Sequence, residues 1–138
     1  MNSFALSNKY IMSPAGLAES DLDLIMGSIS SHNIDYADLY FQYSKNEFWA
    51  LEDGAVKNGS FSIDQGVGMR SIAGQKTAFT YSDEISMEAL KDGVKIVKSI
   101  NKDNESKSYP IGEKLIKHSL YQPLNPIESI GSTKKIQL

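Results

Sequence analysis

Few residues of this chain have the types and spacing that catalytic or metal chemistry requires. The sequence contains no cysteine and only two histidines, His32 and His118, which are far apart and have no ligand-type partner three or four residues away. A zinc site needs several His, Cys or carboxylate ligands, usually spaced by a helical or tight turn. We therefore predict no catalytic residue, no metal ligand and no cofactor site within these 138 residues.

Two pairs of adjacent carboxylates, Glu52-Asp53 and Asp83-Glu84, do not change this expectation. Neighbouring side chains on a strand point to opposite faces, which separates the first pair. The second pair stands at the expected start of a helix, where acidic residues favour the helix dipole. Neither pair predicts general acid and base catalysis, because that chemistry needs two groups that converge on one substrate.

The residues best suited to contact a peptide or a partner lie in one short segment. They are Asp64, Gln65, Gly66, Gly68 and Arg70. Glycines in a strand permit a bulge or a close approach of another backbone, and at an open sheet edge they let an extended peptide pair as an added strand. Alternatively, Asp64 and Gln65 cap a turn, and Arg70, the only arginine in the chain, pairs with an acid on the sheet surface.

This segment belongs to a predicted β-hairpin over residues 66–81. Small and apolar residues fill both arms, and Gly74 supplies the positive φ that a tight turn needs. A two-residue loop places Tyr81 opposite Gly68, whereas a three-residue loop places Tyr81 opposite Met69. Both registers are compatible with the sequence.

Alternation of apolar and polar residues predicts the other strands of the same sheet. The predicted strands cover residues 37–43, 47–53, 55–57 with a continuation over 60–63, 66–73 and 77–81. Residues 45–46 and 53–54 are expected to form turns, and residues 58–59 a turn or a bulge. Three large aromatic side chains in two of these strands, Trp49, Phe79 and Tyr81, are expected to fill the core.

Two amphipathic helices are predicted to flank these strands. The first begins with Ser20 as its N-cap, and the second with Ser86. Their apolar stripes are Leu22, Ile25, Met26 and Ile29 in the first helix, and Met87, Leu90, Val94 and Val97 in the second. The fold class is therefore α+β: an antiparallel sheet of about four to six strands with both helices on one face, followed by a polar C-terminal extension.

The chain divides into three parts by composition. Residues 1–19 show no sustained period and predict a loose leader able to dock on a later element, and residues 20–100 carry the α+β domain. Residues 101–138 are predicted to be a linker, over 101–108, and the start of a following segment. Within the last part, two prolines predict extended backbone over residues 121–126, and a helix is expected to begin near Ser132. A helix of about one turn does not recover its nucleation cost, so we expect the chain to be truncated there.

Composition excludes several classes of partner. A net charge of −3, with 22% charged and 41% apolar residues, is typical of an ordinary globular domain and gives no basic surface for nucleic acid. No apolar stretch approaches the roughly 20 residues of a membrane helix, and no targeting segment precedes the domain. We expect a cytoplasmic protein that contacts neither nucleic acid nor membrane.

Four segments carry a resemblance to a known family. They are residues 35–42, residues 49–53, residues 63–70 with the run Asp64-Gln65-Gly66-Val67-Gly68 and Arg70, and residues 74–79 with Gly74, Lys76 and Thr77. These segments resemble the N-terminal domain of the TldD/PmbA family, and its TldD branch in particular. The similarity continues through residues 120–121 and 125–126, so it covers residues 20–138.

This resemblance implies a function that the residues alone do not show. Members of the family are cytoplasmic zinc metalloproteases in which a TldD-type subunit pairs with a TldE (PmbA) subunit and cleaves extended or unfolded peptides. Their zinc motif, His-Glu-x-x-x-His on a helix, lies in the C-terminal part and is absent from this sequence. The resemblance thus implies a non-catalytic N-terminal portion, inactive by itself, with zinc present only in the full-length member.

Two alternatives to this function remain open. The chain could act as a stand-alone module that binds a peptide or a partner subunit, which an exposed sheet edge near residues 66–70 would favour. It could also be a decayed fragment without function, which would aggregate if burying its apolar surfaces requires the missing half.

Overall fold

The computed structural model describes residues 3–30, 33–100 and 124–137. Its elements in chain order are α1 Ser3–Ser7, a π-helical turn Asn8–Met12, α2 Glu19–Ile29, β1 Tyr36–Glu52, β2 Ala55–Ala73, β3 Lys76–Ser82, α3 Met87–Lys98 and α4 Ser132–Ile136. An antiparallel sheet with separate helices confirms the α+β class. Four of the predicted features lie outside the described residues: His32, His118, the linker over 101–108 and residues 121–123 of the extended segment.

The sheet has three strands in the described residues, in the order β1-β2-β3, and each neighbouring pair is antiparallel. The predicted number was larger because two strands were each divided into shorter pieces. The turn expected at residues 45–46 is wrong: Lys45 pairs with Ile63 and Asn46 with Ser62, so both stand within β1. Strand β1 therefore runs without interruption through a polar dipeptide that local propensity assigns to a turn.

Strand β2 also continues through residues 58–59, where a turn or a bulge was predicted. Asn58 pairs with Ala50, and Gly59 pairs with Trp49. The register shifts between Ala50 and Leu51, next to this position. The irregularity is therefore a bulge, which leaves the two long strands paired on both sides of it.

Tight turns join the three strands. At the first turn, Asp53 and Gly54 have φ values of 52° and 76°, as a type I′ turn requires. At the second, Gly74 has a φ of 59°, and Gly68 lies opposite Tyr81. This is the register of the two-residue loop, so the first of the two predicted alternatives is confirmed.

The two long helices begin with different caps. The prediction of Ser20 as the first cap is wrong, because α2 starts at Glu19 and the backbone N–H of Ala18 donates to Asp21 Oδ2 at 2.8 Å. The prediction of Ser86 as the second cap is confirmed: Ser86 Oγ accepts the N–H of Ala89 at 3.2 Å. Either arrangement satisfies a free N–H of the first turn.

Helices α2 and α3 pack on one face of the sheet and bury the core. The buried apolar residues are Leu17, Ile25, Ile29, Val67, Met69, Ile85, Leu90, Val94 and Val97. A Cβ atom on Gly93 would lie 2.6 Å from Met69 Sδ, so this glycine lets α3 approach β2 closely. Ser71 Oγ donates to Val97 O at 2.8 Å and joins β2 to the last turn of α3.

The N-terminal residues are helical and packed, whereas the sequence predicted a loose leader. Ile11 and Met12 contact the core cluster, and Leu17 belongs to it. The ring of Tyr10 stacks on Tyr43 of β1, with 5.5 Å between the ring centroids. Contacts with the sheet thus give this segment an order that its own sequence pattern does not indicate.

Residues 124–137 return to the same side of β1 and bond to it. Glu128 accepts from Lys45 at 2.9 Å and from the hydroxyl of Tyr10 at 3.0 Å. Lys135 forms an ion pair with Glu47, and both side chains are largely buried. The short helix α4 contains the predicted helix start near residue 132, although its N-cap is Gly131 rather than a serine.

Candidate functional site

The register of β2 divides the predicted contact residues between the two faces of the sheet. Val67 and Met69 face the helices and are buried, and Gln65 shares this helix face because side chains alternate along a strand. The opposite face, which we call the open face, carries the other four predicted contact residues, Asp64, Gly66, Gly68 and Arg70. Four of the five thus share one surface, and Gln65 does not.

The exposed sheet edge that would favour a stand-alone module is not present over residues 67–70. Strand β2 pairs with both β1 and β3 over residues 67–72, so its backbone is not available to a peptide at this position. The alternative in which Asp64 and Gln65 cap a turn is also wrong, because both stand in mid-strand opposite β1. Among the described residues, the free edge of β2 is the stretch 55–66, beyond the last pair with β3.

The two strand glycines on the open face lie under aromatic rings of β3. A Cβ atom on Gly66 would clash with the ring and hydroxyl of Tyr81 and would lie 2.7 Å from Ser82 O. A Cβ atom on Gly68 would lie 3.4 Å from the nearest ring carbon of Phe79. The hydroxyl of Tyr81 donates to Gln65 O at 3.3 Å and holds its ring across the strand. Gly66 therefore serves a close approach, which was one of the predicted roles, whereas Gly68 leaves room for a side chain.

The prediction that Phe79 and Tyr81 fill the core is wrong. They are 63% and 54% exposed, because β3 directs Ala78 and Thr80 to the helices and these two rings to the open face. Trp49 lies on the helix face and is half-buried, but it lies outside the core cluster, so the prediction that it fills the core is also wrong. Local sequence identifies a strand and its two faces, but it does not tell which face the helices cover.

Arg70 pairs with an acid on the sheet surface, as one of the two alternatives predicted. Its Nε donates to Asp38 Oδ1 at 3.3 Å, and a second guanidinium nitrogen bonds Asp38 Oδ2. This carboxylate raises the pKa of Arg70 above its ordinary value. The guanidinium also lies over the ring of Tyr36, 5.5 Å from its centroid. Lysine could not replace Arg70 here, because its ammonium group is not a planar two-pronged donor and does not stack on a ring.

Four exposed aromatic side chains surround this ion pair. We call them the aromatic patch: Tyr36 and Tyr40 of β1, and Phe79 and Tyr81 of β3. Tyr40 is 62% exposed and lies opposite Gly68, which in turn lies opposite Tyr81. The tyrosines of β1 were not predicted as site residues. The alternation of side chains along β1 could have identified them, because it places both tyrosines on the side opposite Leu39.

The described residues offer little to a metal or a small ligand. Over residues 3–30, 33–100 and 124–137 no group of three or more His, Cys, Asp or Glu side chains could hold a metal ion. An open groove of about 410 Å³ runs between α3 and β3. Its rim carries three carboxylates, Glu84, Glu88 and Asp92, the last of which accepts from Lys95 at 2.7 Å. None of the helices in the described residues is long and apolar enough to cross a bilayer.

Comparison with known proteins decides the family. Residues 37–100, which include all three strands and α3, match the family model described as PmbA/TldA metallopeptidase domain 1. The chain belongs to the PmbA/TldD family. The matched region contains the open face and every residue of the aromatic patch except Tyr36.

Three proteins named as homologs of the metalloprotease TldD are similar to this member of the PmbA/TldD family. The one from Haemophilus influenzae is 40% identical over 130 residues, which are 93% of this chain and 27% of the relative. Two from Buchnera aphidicola are 40% identical over 109 residues (subspecies Schizaphis graminum) and 32% identical over 136 residues (subspecies Acyrthosiphon pisum). These matches cover 78% and 98% of this chain, and 22% and 28% of the relatives. The chain thus spans between 22% and 28% of the relatives' length.

Proposed function

We propose that this chain is the N-terminal, non-catalytic portion of a TldD-like zinc metalloprotease that cleaves extended or unfolded peptides in the cytoplasm. The observation that carries the proposal is the match of residues 37–100 to the first domain of the PmbA/TldA metallopeptidases. The sequence has no His-Glu-x-x-x-His motif, so the zinc and the activated water belong to the remainder of such a protein. By itself the chain is inactive.

Within such an enzyme, the domain contributes a folded surface and no reacting groups. Where the three strands run side by side, α2 and α3 cover the helix face of the sheet, while no element of the described residues covers the open face. We propose that the domain helps to enclose the peptide cavity and to contact a TldE (PmbA)-type subunit. The residues that we predict to make these peptide or subunit contacts lie on β2: Asp64, Gln65, Gly66, Gly68 and Arg70.

The test is a chimera in which this chain replaces the matching 130 residues of the Haemophilus influenzae relative. The chimera, co-expressed with a PmbA-type subunit, should bind zinc and hydrolyse an unstructured peptide, and the 138-residue chain alone should do neither. Zinc content is measured by mass spectrometry on the purified proteins, and hydrolysis by the release of peptide fragments.

Two results would contradict the proposal. One is a tightly held zinc ion in the chain alone, since that would reveal a metal site within these residues. The other is a folded chimera that neither holds zinc nor cleaves the peptide under conditions in which the intact relative does both.

A second function, that of a stand-alone peptide-binding or subunit-interaction module, is favoured by the free edge of β2 over residues 55–66. An unpaired strand edge presents backbone donors and acceptors to which an extended peptide can pair. In that case the chain alone would bind an unstructured peptide, and Ile63→Pro, which removes a backbone donor on the same side of β2 as Gln65 O, would weaken binding. Thr77→Pro in the paired strand β3 is the control for general damage to the sheet.

A further inference from the structure

The open face of the sheet is unusually aromatic for a surface that no described element covers. The residues of the aromatic patch, Tyr36, Tyr40, Phe79 and Tyr81, are each half or more exposed. An antiparallel sheet with one solvated face normally alternates apolar residues inward with polar residues outward. Here the outward series of β1 and β3 brings four large rings together on one side, and such a patch marks an interaction site.

Contacts within the open face hold three of the four rings of the patch, those of Tyr36, Phe79 and Tyr81. Tyr81 is fixed across Gly66 by its hydrogen bond to the backbone of β2, and Phe79 lies against Gly68. Arg70 is tied to Asp38 and stacked on Tyr36 at the middle of the same surface. Because these contacts already restrict the rings and the guanidinium, little side-chain entropy is lost when another surface covers them.

The composition of the patch matches the centre of protein interfaces. Tyrosine, phenylalanine and arginine are enriched there, because they combine a large apolar area with a polar end that finds a partner. Arg70 has guanidinium donors beyond the two that Asp38 accepts, and its side chain is 46% exposed. The complementary surface must therefore supply apolar groups over the rings and a hydrogen-bond acceptor over the guanidinium.

We infer that the aromatic patch is the surface onto which the catalytic remainder of the same polypeptide packs. This inference rests on the proposed function. The chain spans 27% of the Haemophilus influenzae relative, so most of that protein is available to cover the open face. Where β1, β2 and β3 run side by side, the helix face is already occupied by α2 and α3, so in that part of the sheet the open face is the broad side on which a further domain can dock.

The experiment compares the chain alone with the chimera described above, using hydroxyl-radical labelling read by mass spectrometry. In the chain alone, Tyr40, Phe79 and Tyr81 should be oxidised readily. In the chimera their oxidation should slow by about five-fold or more, because a packed interface excludes water from its centre. Leu24, which is 68% exposed on α2, is the internal control and should keep its rate.

Several results would overturn the inference. The rings could be oxidised equally in both proteins, or they could become protected in the chain alone as its concentration rises, which would assign a second copy to this face. Protection that appears only after a PmbA-type subunit is added would assign the face to that subunit. The same labelling of the intact Haemophilus influenzae relative, at the strands aligned with β1 and β3, gives the answer even if the chimera does not fold.

Failure of this inference can be told apart from failure of the proposed function. A chimera that binds zinc and cleaves peptide while its aromatic patch stays accessible contradicts the inference alone. A folded chimera without zinc and without activity contradicts the proposed function, whatever the labelling shows.

Discussion

The two glycines of the open face differ in how tightly the neighbouring strand covers them. At Gly66 a side chain would meet both the ring of Tyr81 and the backbone oxygen of Ser82, whereas at Gly68 it would only touch the ring of Phe79. A ring can turn aside at small cost, but a backbone oxygen in a paired strand cannot. The same residue type in the same strand thus has two different tolerances to substitution.

Replacing Gly66 by alanine should therefore destabilise the protein, and replacing Gly68 should not. We expect Gly66→Ala to lower the free energy of unfolding by about 1–3 kcal/mol, the usual cost of overpacking. Gly68→Ala should change it by about 0.5 kcal/mol or less, as at an uncrowded position. Urea unfolding of the two variants measures both values. Equal losses would show that the close contact with Ser82 does not constrain this strand.

Ser71 tests the buried hydrogen bond between the sheet and α3. Its side chain is fully buried, and its hydroxyl donates to the carbonyl of Val97 at 2.8 Å. Ser71→Ala removes the hydroxyl donor and leaves the Val97 carbonyl without this hydrogen bond. The substitution should lower the free energy of unfolding by about 1 kcal/mol. Ser62→Ala, at an exposed position of the same strand, is the matched control and should be close to neutral. A neutral Ser71→Ala would mean that the bond contributes nothing net.

At the scale of elements, α3 is the helix that closes the core. Leu90 is fully buried against the sheet, whereas Ile96 on the same helix is 51% exposed. Leu90→Ala should lower the free energy of unfolding by about 2–5 kcal/mol, the range for deleting a buried leucine side chain. Ile96→Ala should cost much less, since most of its side chain already contacts water. Thermal and urea unfolding compare the two, and similar losses would contradict the position of the helix on the sheet.

The attachment of residues 124–137 depends on two glutamates and is therefore sensitive to acid. The hydrogen bond from Lys45 lowers the pKa of Glu128, and the hydrogen bond from Lys135 lowers that of Glu47. A carboxylate whose pKa is lower in the attached state stabilises that state. The stabilisation is fully present when the pH is above the ordinary pKa of glutamate, about 4.3. This stabilisation is lost as the pH falls through the lowered values, so the attachment of the segment should weaken in the acid range.

Trp49, the only tryptophan of the chain, reports this detachment because it lies beside Glu47 on the helix face. Its emission should change in the acid range while circular dichroism still shows the folded sheet. The double variant with Glu47→Gln and Glu128→Gln should show the low-pH emission already at pH 7, and Glu88→Gln on α3 should behave like the original protein. An unchanged pH profile in the double variant would contradict the role of these carboxylates.

At the scale of the whole molecule, the two faces of the sheet have opposite characters. The helix face contributes the core, and the open face contributes a surface whose rings add little to the stability of the chain alone. Tyr40→Ser combined with Phe79→Ser should therefore cost about 1 kcal/mol or less, the scale of cross-strand pairs. Met69→Ala on the buried face should cost about 2–5 kcal/mol.

Dye binding separates the two faces further. The variant with Tyr40→Ser and Phe79→Ser should bind the hydrophobic dye ANS less than the original chain, because the exposed apolar patch is reduced. Met69→Ala should not reduce dye binding, since its side chain never reaches the surface. A large loss of stability in the double variant would show that the open face belongs to the core of this chain.

Much of the fold follows from the sequence by itself, because it depends on neighbouring residues. The period of α2 and α3, the Ser86 cap, the turn at residues 53–54 and the positive φ of Gly74 are local properties, and each was predicted. The placement of Asp64, Gly66, Gly68 and Arg70 on one face also follows from the period of a strand. Their role as contacts stays a prediction.

Only the tertiary structure decided the rest, because it depends on residues distant in the chain. Pairing with β2 keeps β1 extended through residues 45–46, and contact with the sheet orders the N-terminal helices. Above all, the packing of α2 and α3 on one side determines which face of the sheet is buried. Alternation in a strand is symmetric with respect to its two faces, so Phe79 and Tyr81 could not be assigned to the surface until the helices were in place.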